Sequence, residues 1–346
     1  MHSENAISAK ARAMFADRLT ARNYTEMLQC KDVHDVAAYL KTKTPYGQYL
    51  SGLNTSTVHR GWLEENLKNI LFRELDALSH YDFALGDKFY EYFIISGEIL
   101  QITRCISLIN TGSKDKYLLT LPEFFVDRAT LDLMSLAKAQ TMRDILEVLK
   151  GGAYYDICKR FIAGNREDID LVNMSKALDE YKFNRLFEII NSTTKGGARK
   201  ELNNFAKMLV DIYNIEALER NNRFKRHSSS LLSASVTVPG GAISQQTLAE
   251  MSQARTQKEF FEMVKNTKYK KYIKDEEYLF VEMLTSSMLY NKAIHELRFS
   301  PYPLVVMMAY ASLAQTEINN VVHIVEGIRY NVQPERIASI LVGADK

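Results

Sequence analysis

The sequence has little that interrupts a helix and little that builds a covalent or metal-bound scaffold. Six prolines and 15 glycines punctuate 346 residues, far fewer than in collagen-like or Pro/Gly-rich disordered chains. Three cysteines, Cys30, Cys105 and Cys158, lie far apart without a CxxC pair, so neither a disulfide framework nor a zinc knuckle is indicated and a reducing cytosol fits. An excess of one charge is missing too. The 44 basic and 42 acidic side chains leave a formal charge of +2, so no global attraction to nucleic acid or anionic lipid follows. Charges interrupt every apolar run near the N-terminus, unlike a signal peptide. Two uncharged runs invite inspection as membrane spans. Phe299 to Thr316 contains Pro301, Pro303 and Gln315, and Ser228 to Ala249 is Ser-rich and broken by Pro239-Gly240-Gly241. Neither supplies the roughly 20 predominantly apolar residues of a span, and the expectation is a soluble or membrane-peripheral chain.

Contiguous catalytic motifs are also missing. There is no GxxxxGK[ST], and the glycine pairs starting at Gly151, Gly196 and Gly240 lack both GxGxxG spacing and a preceding strand. His295-Glu296 has Phe299 where HExxH needs its second histidine, and no GxSxG occurs. The histidines are scattered, and His323 on a largely apolar helix reads as a satisfied core or interface residue. No catalytic residue, metal ligand or cofactor site is therefore expected. The stretches Lys265 to Lys274, where Lys and Tyr interleave, and Arg220 to His227 carry basic charge. They read as solvated helix ends, where cations favour the C-terminal dipole, rather than as a nucleic-acid patch. Asp275-Glu276-Glu277 largely cancels the first of them.

What is present is helical periodicity. Leu67, Ile70, Leu71, Leu75 and Leu78 keep the i, i+3, i+4 spacing of an amphipathic helix. Leu304, Met307, Met308, Ala311, Ile318, Val321 and Val325 do so again behind Pro303, a first-turn proline, and the first half of that helix is apolar nearly all round. Ala234 to Val238 is the one short strand-like exception. The fold class read from this is all-α.

Within the helical pattern one phrase is written three times. It runs from Asp35 through Lys41 to Tyr46, from Asp144 through Lys150 to Tyr154, and from Glu259 through Lys265 to Tyr269. Upstream, Tyr24 to Cys30, Leu133 to Ala139 and Leu248 to Ala254 share a spacing of apolar and small residues at the same offsets of 109 and 115. Downstream, a second phrase of acid, Ile, any residue, amide and branched aliphatic begins at Glu98, Asp211 and Glu317, at offsets of 113 and 106. Concordant spacing of separate phrases predicts an internal triplication with units of about 110 residues, too long for solenoid repeats and long enough for small domains. The expected domains are 1–121, 122–238 and 239–346, with a Ser-, Gly- and Lys/Arg-rich loop from about Asn221 to Ser244. Tyr46, Tyr154, Tyr269, Glu98, Asp211 and Glu317 are the repeat-equivalent structural or interface candidates, each acid expected to pair within its own lobe.

With these repeats, the early segment Asn23 to Leu50 and the late segment Ser300 to Ile328, in which a Pro-led apolar helix runs into Glu-Ile-x-Asn, the chain resembles the C subunit of A/V-type ATPases and ATP synthases. The vacuolar counterpart is the d subunit. The likeness extends over essentially the whole chain. It departs where Val321-Val322 follows Asn320, in place of the family's frequent Ile-Arg. The resemblance implies a three-lobed, funnel-shaped helical collar without chemistry of its own. Such a collar sits on the cytoplasmic face of the membrane as a peripheral rotor component of the central stalk. Its partners would be the D and F subunits of the central shaft and the membrane proteolipid ring, in a complex moving protons or sodium ions. A helical adaptor outside any rotary motor, and an all-α enzyme with a non-contiguous site, are the competing readings.

Overall fold

The computed structural model describes residues 4–52, 54–81, 86–113, 117, 121, 123–162, 170–227, 236–274 and 278–344. Among the described residues there are sixteen α-helices and no strand, so the fold is all-α. In chain order α1 (Glu4–Ala16), α2 (Ala21–Met27), α3 (Val33–Lys43) and α4 (Arg60–Ser79) come first. They are followed by α5 (Gly86–Asn110), α6 (Glu123–Val126), α7 (Leu133–Lys138), α8 (Met142–Leu149) and α9 (Tyr155–Ile162). Then come α10 (Leu171–Thr193), α11 (Gly196–His227), α12 (Gln245–Met251) and α13 (Gln257–Lys265), and last α14 (Val281–Phe299), α15 (Pro303–Arg329) and α16 (Pro334–Ala338). The helices fall into two compact units, one of residues 1–87 with 271–346 and one of residues 88–270.

In the first unit α15 is the core. Every residue from Leu304 to Ala311 is buried, as an all-round apolar helix requires. Helices α1, α4 and α14 pack on it. Pro303 occupies its first turn, where the missing N–H has no intrahelical partner to lose. The stripe Leu67, Ile70, Leu71, Leu75 and Leu78 of α4 is buried, as its period predicts. In the second unit α10 and α11 fold back on each other across Thr194-Lys195, and α9, α12 and α13 pack on this pair.

The thrice-written phrase has a local cause. Helices α3, α8 and α13 start at the N-caps Asp32, Thr141 and Thr256, and the phrase's acids Asp35, Asp144 and Glu259 stand three residues on. Each acid accepts a backbone N–H just ahead of its helix, from Lys31 (3.1 Å), Thr141 (2.9 Å) and Arg255 (2.8 Å). Each cap side chain accepts the N–H of the acid in return. This is reciprocal capping of donors the helix cannot satisfy internally.

Two sequence expectations give way. Helix α11 continues through His227, so Asn221 to His227 is helical rather than loop; neither glycine nor proline occurs between Gly197 and Pro239 to end it. Ser228 to Ser235 lie outside the described residues. Of the strand-like Ala234 to Val238 only 236–238 are described, and they form no strand. The Asn214 side chain bonds both backbone groups of Val238 (2.9 and 2.8 Å), taking the place of a neighbouring strand. The two uncharged runs of the sequence do not include α5. Among the described residues Lys88–Asn110 is the one helix long and apolar enough to cross a membrane, and half of its apolar stretch is buried within this chain.

Candidate functional site

The six repeat-equivalent residues meet in three pairs. Tyr154 donates its hydroxyl to Glu98 Oε2 (2.6 Å), Tyr269 to Asp211 Oδ2 (2.5 Å) and Tyr46 to Glu317 Oε1 (2.5 Å). All six side chains are buried. The pairing differs from the expected one. Each acid reaches past the boundary drawn from the sequence to the tyrosine of the following segment, and Glu317, the last acid, returns to Tyr46, the first tyrosine. Each tyrosine sits a few residues beyond a capped helix, at a tight turn: inside the 3-10 turn Pro45–Gln48, just before α9, and just before the 3-10 turn Lys270–Tyr272.

Backbone N–H groups complete each clasp. Glu98 Oε1 accepts from the N–H of Thr130 (2.5 Å) and Leu131 (2.8 Å) and from the Thr130 hydroxyl (2.8 Å). Asp211 accepts from the N–H of Ala242 (2.8 Å) and Ile243 (3.2 Å), and Glu317 Oε2 from the N–H of Leu19 (3.0 Å). Leu19, Leu131 and Ile243 are spaced 112 residues apart, each immediately before an N-cap: Thr20, Asp132 and Ser244. The caps also correct the upstream register. Tyr24, Leu136 and Leu248 each follow their cap by four residues and are buried, so Leu136 matches Tyr24, where the sequence phrase aligns Leu133. Asp211 comes so close to the chain that a Cβ on Gly241 would lie 2.1 Å from its Oδ1. Glycine at that position is what lets the following N–H groups face the carboxylate.

The amide three residues after each acid lies on the same helix face. Asn320 bonds both backbone groups of Val342 (2.9 and 3.0 Å), as Asn214 does those of Val238. Gln101, three after Glu98, is buried with its Oε1 unpartnered. At Asp211 and Glu317 the acid-Ile-x-amide phrase is therefore a two-pronged device: one prong holds a turn and a tyrosine, the other a stretch of irregular backbone.

Sequence reasoning missed the most highly charged neighbours. In the first unit the Arg18 guanidinium donates to Glu317 Oε1 (3.1 Å), the Tyr46 hydroxyl (3.0 Å), the Tyr310 hydroxyl (2.5 Å) and Glu74. Tyr310 also donates to Glu74 Oε2 (2.8 Å). Arg18 and Glu74 occur outside the repeated phrases, so no periodicity points to them. Burial alone would depress the Arg18 pKa, but the surrounding hydroxyls and carboxylates more than offset this and raise it. Burial raises Glu74 despite Arg18 and Tyr310, and raises Asp211 despite its hydrogen-bond donors. Burial, then the adjacent carboxylate, pushes the Tyr46 and Tyr154 phenols well above their usual range. They stay protonated and donate.

Chemically these are fastenings. Every clasp carboxylate is occupied by donors, so none stands ready as a general base. No group of three or more metal-ligating side chains exists among the described residues. In the Lys-Tyr stretch Tyr269 is buried in its clasp, and Lys268 and Lys271 lie over the rings of Tyr269 and Tyr272 (5.3 and 4.8 Å). His323 departs from the satisfied residue expected: its Nδ1 has no partner, and burial lowers its pKa.

Residues 7–340 match the family model described as ATP synthase (C/AC39) subunit. The chain belongs to this family. Curated relatives agree along its length. It is 23% identical to the C subunit of the A-type ATP synthase of Pyrococcus furiosus over 346 residues, covering 96% of this chain and 89% of that protein. Identity to the corresponding A-type ATP synthase protein of Methanocaldococcus jannaschii is 20% over 349 residues, covering 97% and 85%. As an ATP synthase (C/AC39) subunit the chain is part of a membrane-associated complex, has its partners within that complex, and is not an enzyme in its own right.

Proposed function

We propose that this chain is the collar of a rotary A/V-type ATPase, built from three helical repeats and joining the central shaft to the membrane rotor ring. In this reading the D and F subunits enter the collar and the proteolipid ring lies beneath it, on the cytoplasmic face. The collar turns with them, in a motor driving or driven by protons or sodium ions.

The observation that supports the reading best is the order of the clasps. Glu98 holds Tyr154, Asp211 holds Tyr269, and Glu317 holds Tyr46. Each repeat is thereby fastened to its successor, and the last to the first. A coupling piece must pass torque without absorbing it. Buried, fully donated carboxylates serve that need, since a hydrogen bond to a charged group contributes about 1.5–3 kcal/mol and each fixes an irregular segment to a rigid helix. The repeats are best defined by the clasps themselves, with boundaries in the segments after α5 and α11.

The test is a comparison of membranes with and without this chain, measuring ATP hydrolysis and ion pumping together. Without the collar, hydrolysis by the head should persist while ion movement stops. Pumping retained in its absence refutes the proposal.

A further inference from the structure

Two of the three amides that follow the clasp acids hold a valine by both of its backbone groups, and the third does not. Asn214 bonds the C=O and N–H of Val238, and Asn320 those of Val342. Gln101 stands at the same position after Glu98, is 2% exposed, and has no donor at its Oε1. A buried acceptor without a donor is costly.

The register names the partner Gln101 lacks. Val238 lies six residues before the N-cap Ser244, and Val126 lies six before the N-cap Asp132. There are 31 residues from Gln101 to Asp132 against 30 from Asn214 to Ser244, and glutamine is one methylene longer than asparagine. What differs is the local backbone. Val238 is irregular and is followed by Pro239, which steers its predecessor away from the helical region. Val342 is followed by Gly343 at φ +69°, another helix-ending residue. Val126 is followed by Asp127, which leaves the helical region open, and it is the last residue of the four-residue α6. So short a helix is marginal, because its few hydrogen bonds barely offset nucleation. The turn after it adds two bonds, from the Arg128 and Ala129 N–H to the Phe125 C=O (3.1 and 2.9 Å). Unwinding would exchange these two for two with Gln101.

We propose that residues 123–129 are a two-state connector. In one state they form α6 and the Gln101 carbonyl is unpaired. In the other α6 unwinds and Gln101 bonds both backbone groups of Val126, as Asn214 and Asn320 do for their valines. Going from helical to extended rise lengthens four residues by about 7 Å. That slack adjoins the first clasp, since the Thr130 and Leu131 N–H groups held by Glu98 follow directly. The inference rests on the equivalence of the three amides, not on the collar reading.

The test is methyl relaxation dispersion at Val126 in the full-length chain, which reads exchange on the μs–ms timescale. Wild type should show dispersion there. Gln101→Leu removes the amide that holds the unwound state, and Asp127→Pro copies the second segment and disfavours the helix. Each should abolish the dispersion. In Asp127→Pro the Val126 N–H should exchange with deuterium about tenfold more slowly than in Asp127→Pro/Gln101→Leu, the equivalent of one hydrogen bond. Slow exchange at Thr130 and Leu131 verifies that the first clasp is intact, and Asp127→Gly, the counterpart of Gly343, takes the place of Asp127→Pro if proline prevents folding. A flat profile in wild type overturns the proposal. So does dispersion that survives Gln101→Leu, or equal Val126 exchange with and without the Gln101 amide.

Discussion

Glu317 and Asp211 each accept from a tyrosine and backbone N–H groups and stand at the start of the same sequence phrase, yet their charges are met differently. Glu317 accepts from a tyrosine, a backbone N–H and a guanidinium, and the same guanidinium serves Glu74. Asp211 accepts only neutral donors, Tyr269 and two backbone N–H groups. Burial raises the pKa of Asp211 despite these donors. Neutral donors satisfy the oxygen lone pairs but do not cancel the charge, and a buried uncancelled charge favours its proton. The first unit adds Arg18 where two carboxylates converge. Without it, two like charges would share one buried site.

That difference can be broken most severely at Arg18. Arg18→Met strands Glu74 and Glu317 without their cation and should destabilise the first unit by about 3–5 kcal/mol, the usual result of removing one partner of a buried pair. Adding Glu74→Met should recover part of the loss. The chain's single tryptophan, Trp62, lies on α4 in this unit, so denaturant titration followed by its fluorescence reads the effect. A double variant no more stable than Arg18→Met would show that Glu74 is not what Arg18 neutralises.

A smaller effect should separate the three tyrosines. Tyr154→Phe and Tyr269→Phe each remove a buried donor from a carboxylate whose other bonded donors are neutral, at a cost of about 1–2 kcal/mol. Tyr46→Phe should cost less, since Glu317 keeps Arg18 and the Leu19 N–H. Hydrogen exchange of the turns at Tyr46, Tyr154 and Tyr269 resolves the order. A Tyr46→Phe penalty larger than the other two would reverse the ranking and deny Arg18 its compensating role.

The smallest expected effect is one of pH. Asp211 and Glu74 have raised folded pKa values, so the folded state binds their protons more tightly than the unfolded state does. Their burial penalty is absent below the ordinary carboxylate value, is complete above the raised folded value, and grows with pH between the two. Relative to Asp211→Asn, the wild type should therefore gain stability as pH falls through that window. Urea midpoints measured for both proteins on either side of it give the sign, and a loss on acidification contradicts the assignment.

Much of this was legible in the residues because repetition exposes it. Asp35, Asp144 and Glu259 recur because a helix start needs an N3 acceptor, and Glu98, Asp211 and Glu317 recur because each must meet a tyrosine. Which acid met which tyrosine was not legible, since spacing along the chain does not state whether a helix packs on its own segment or the next. Arg18, Glu74 and Tyr310 appear once each and leave no periodic trace. The end of α11 was legible in the basic stretch Arg220 to His227, but the loop was expected to begin already at Asn221. Helix α5 does not stand out as an apolar run because charges and a glycine break up its apolar residues.

The return of Glu317 to the first segment also sets a timetable. Arg18 and Glu317 are 299 residues apart, so at roughly 5–20 residues per second the ribosome delivers the second about 15–60 s after the first. Residues 88–270 contain the partners of two clasps and can close them in order of emergence. Helices α1, α3 and α4 have to wait for α15, the helix on which they pack. During translation the middle of this protein is completed before its beginning, and the early helices spend that interval as the segment most in need of a chaperone.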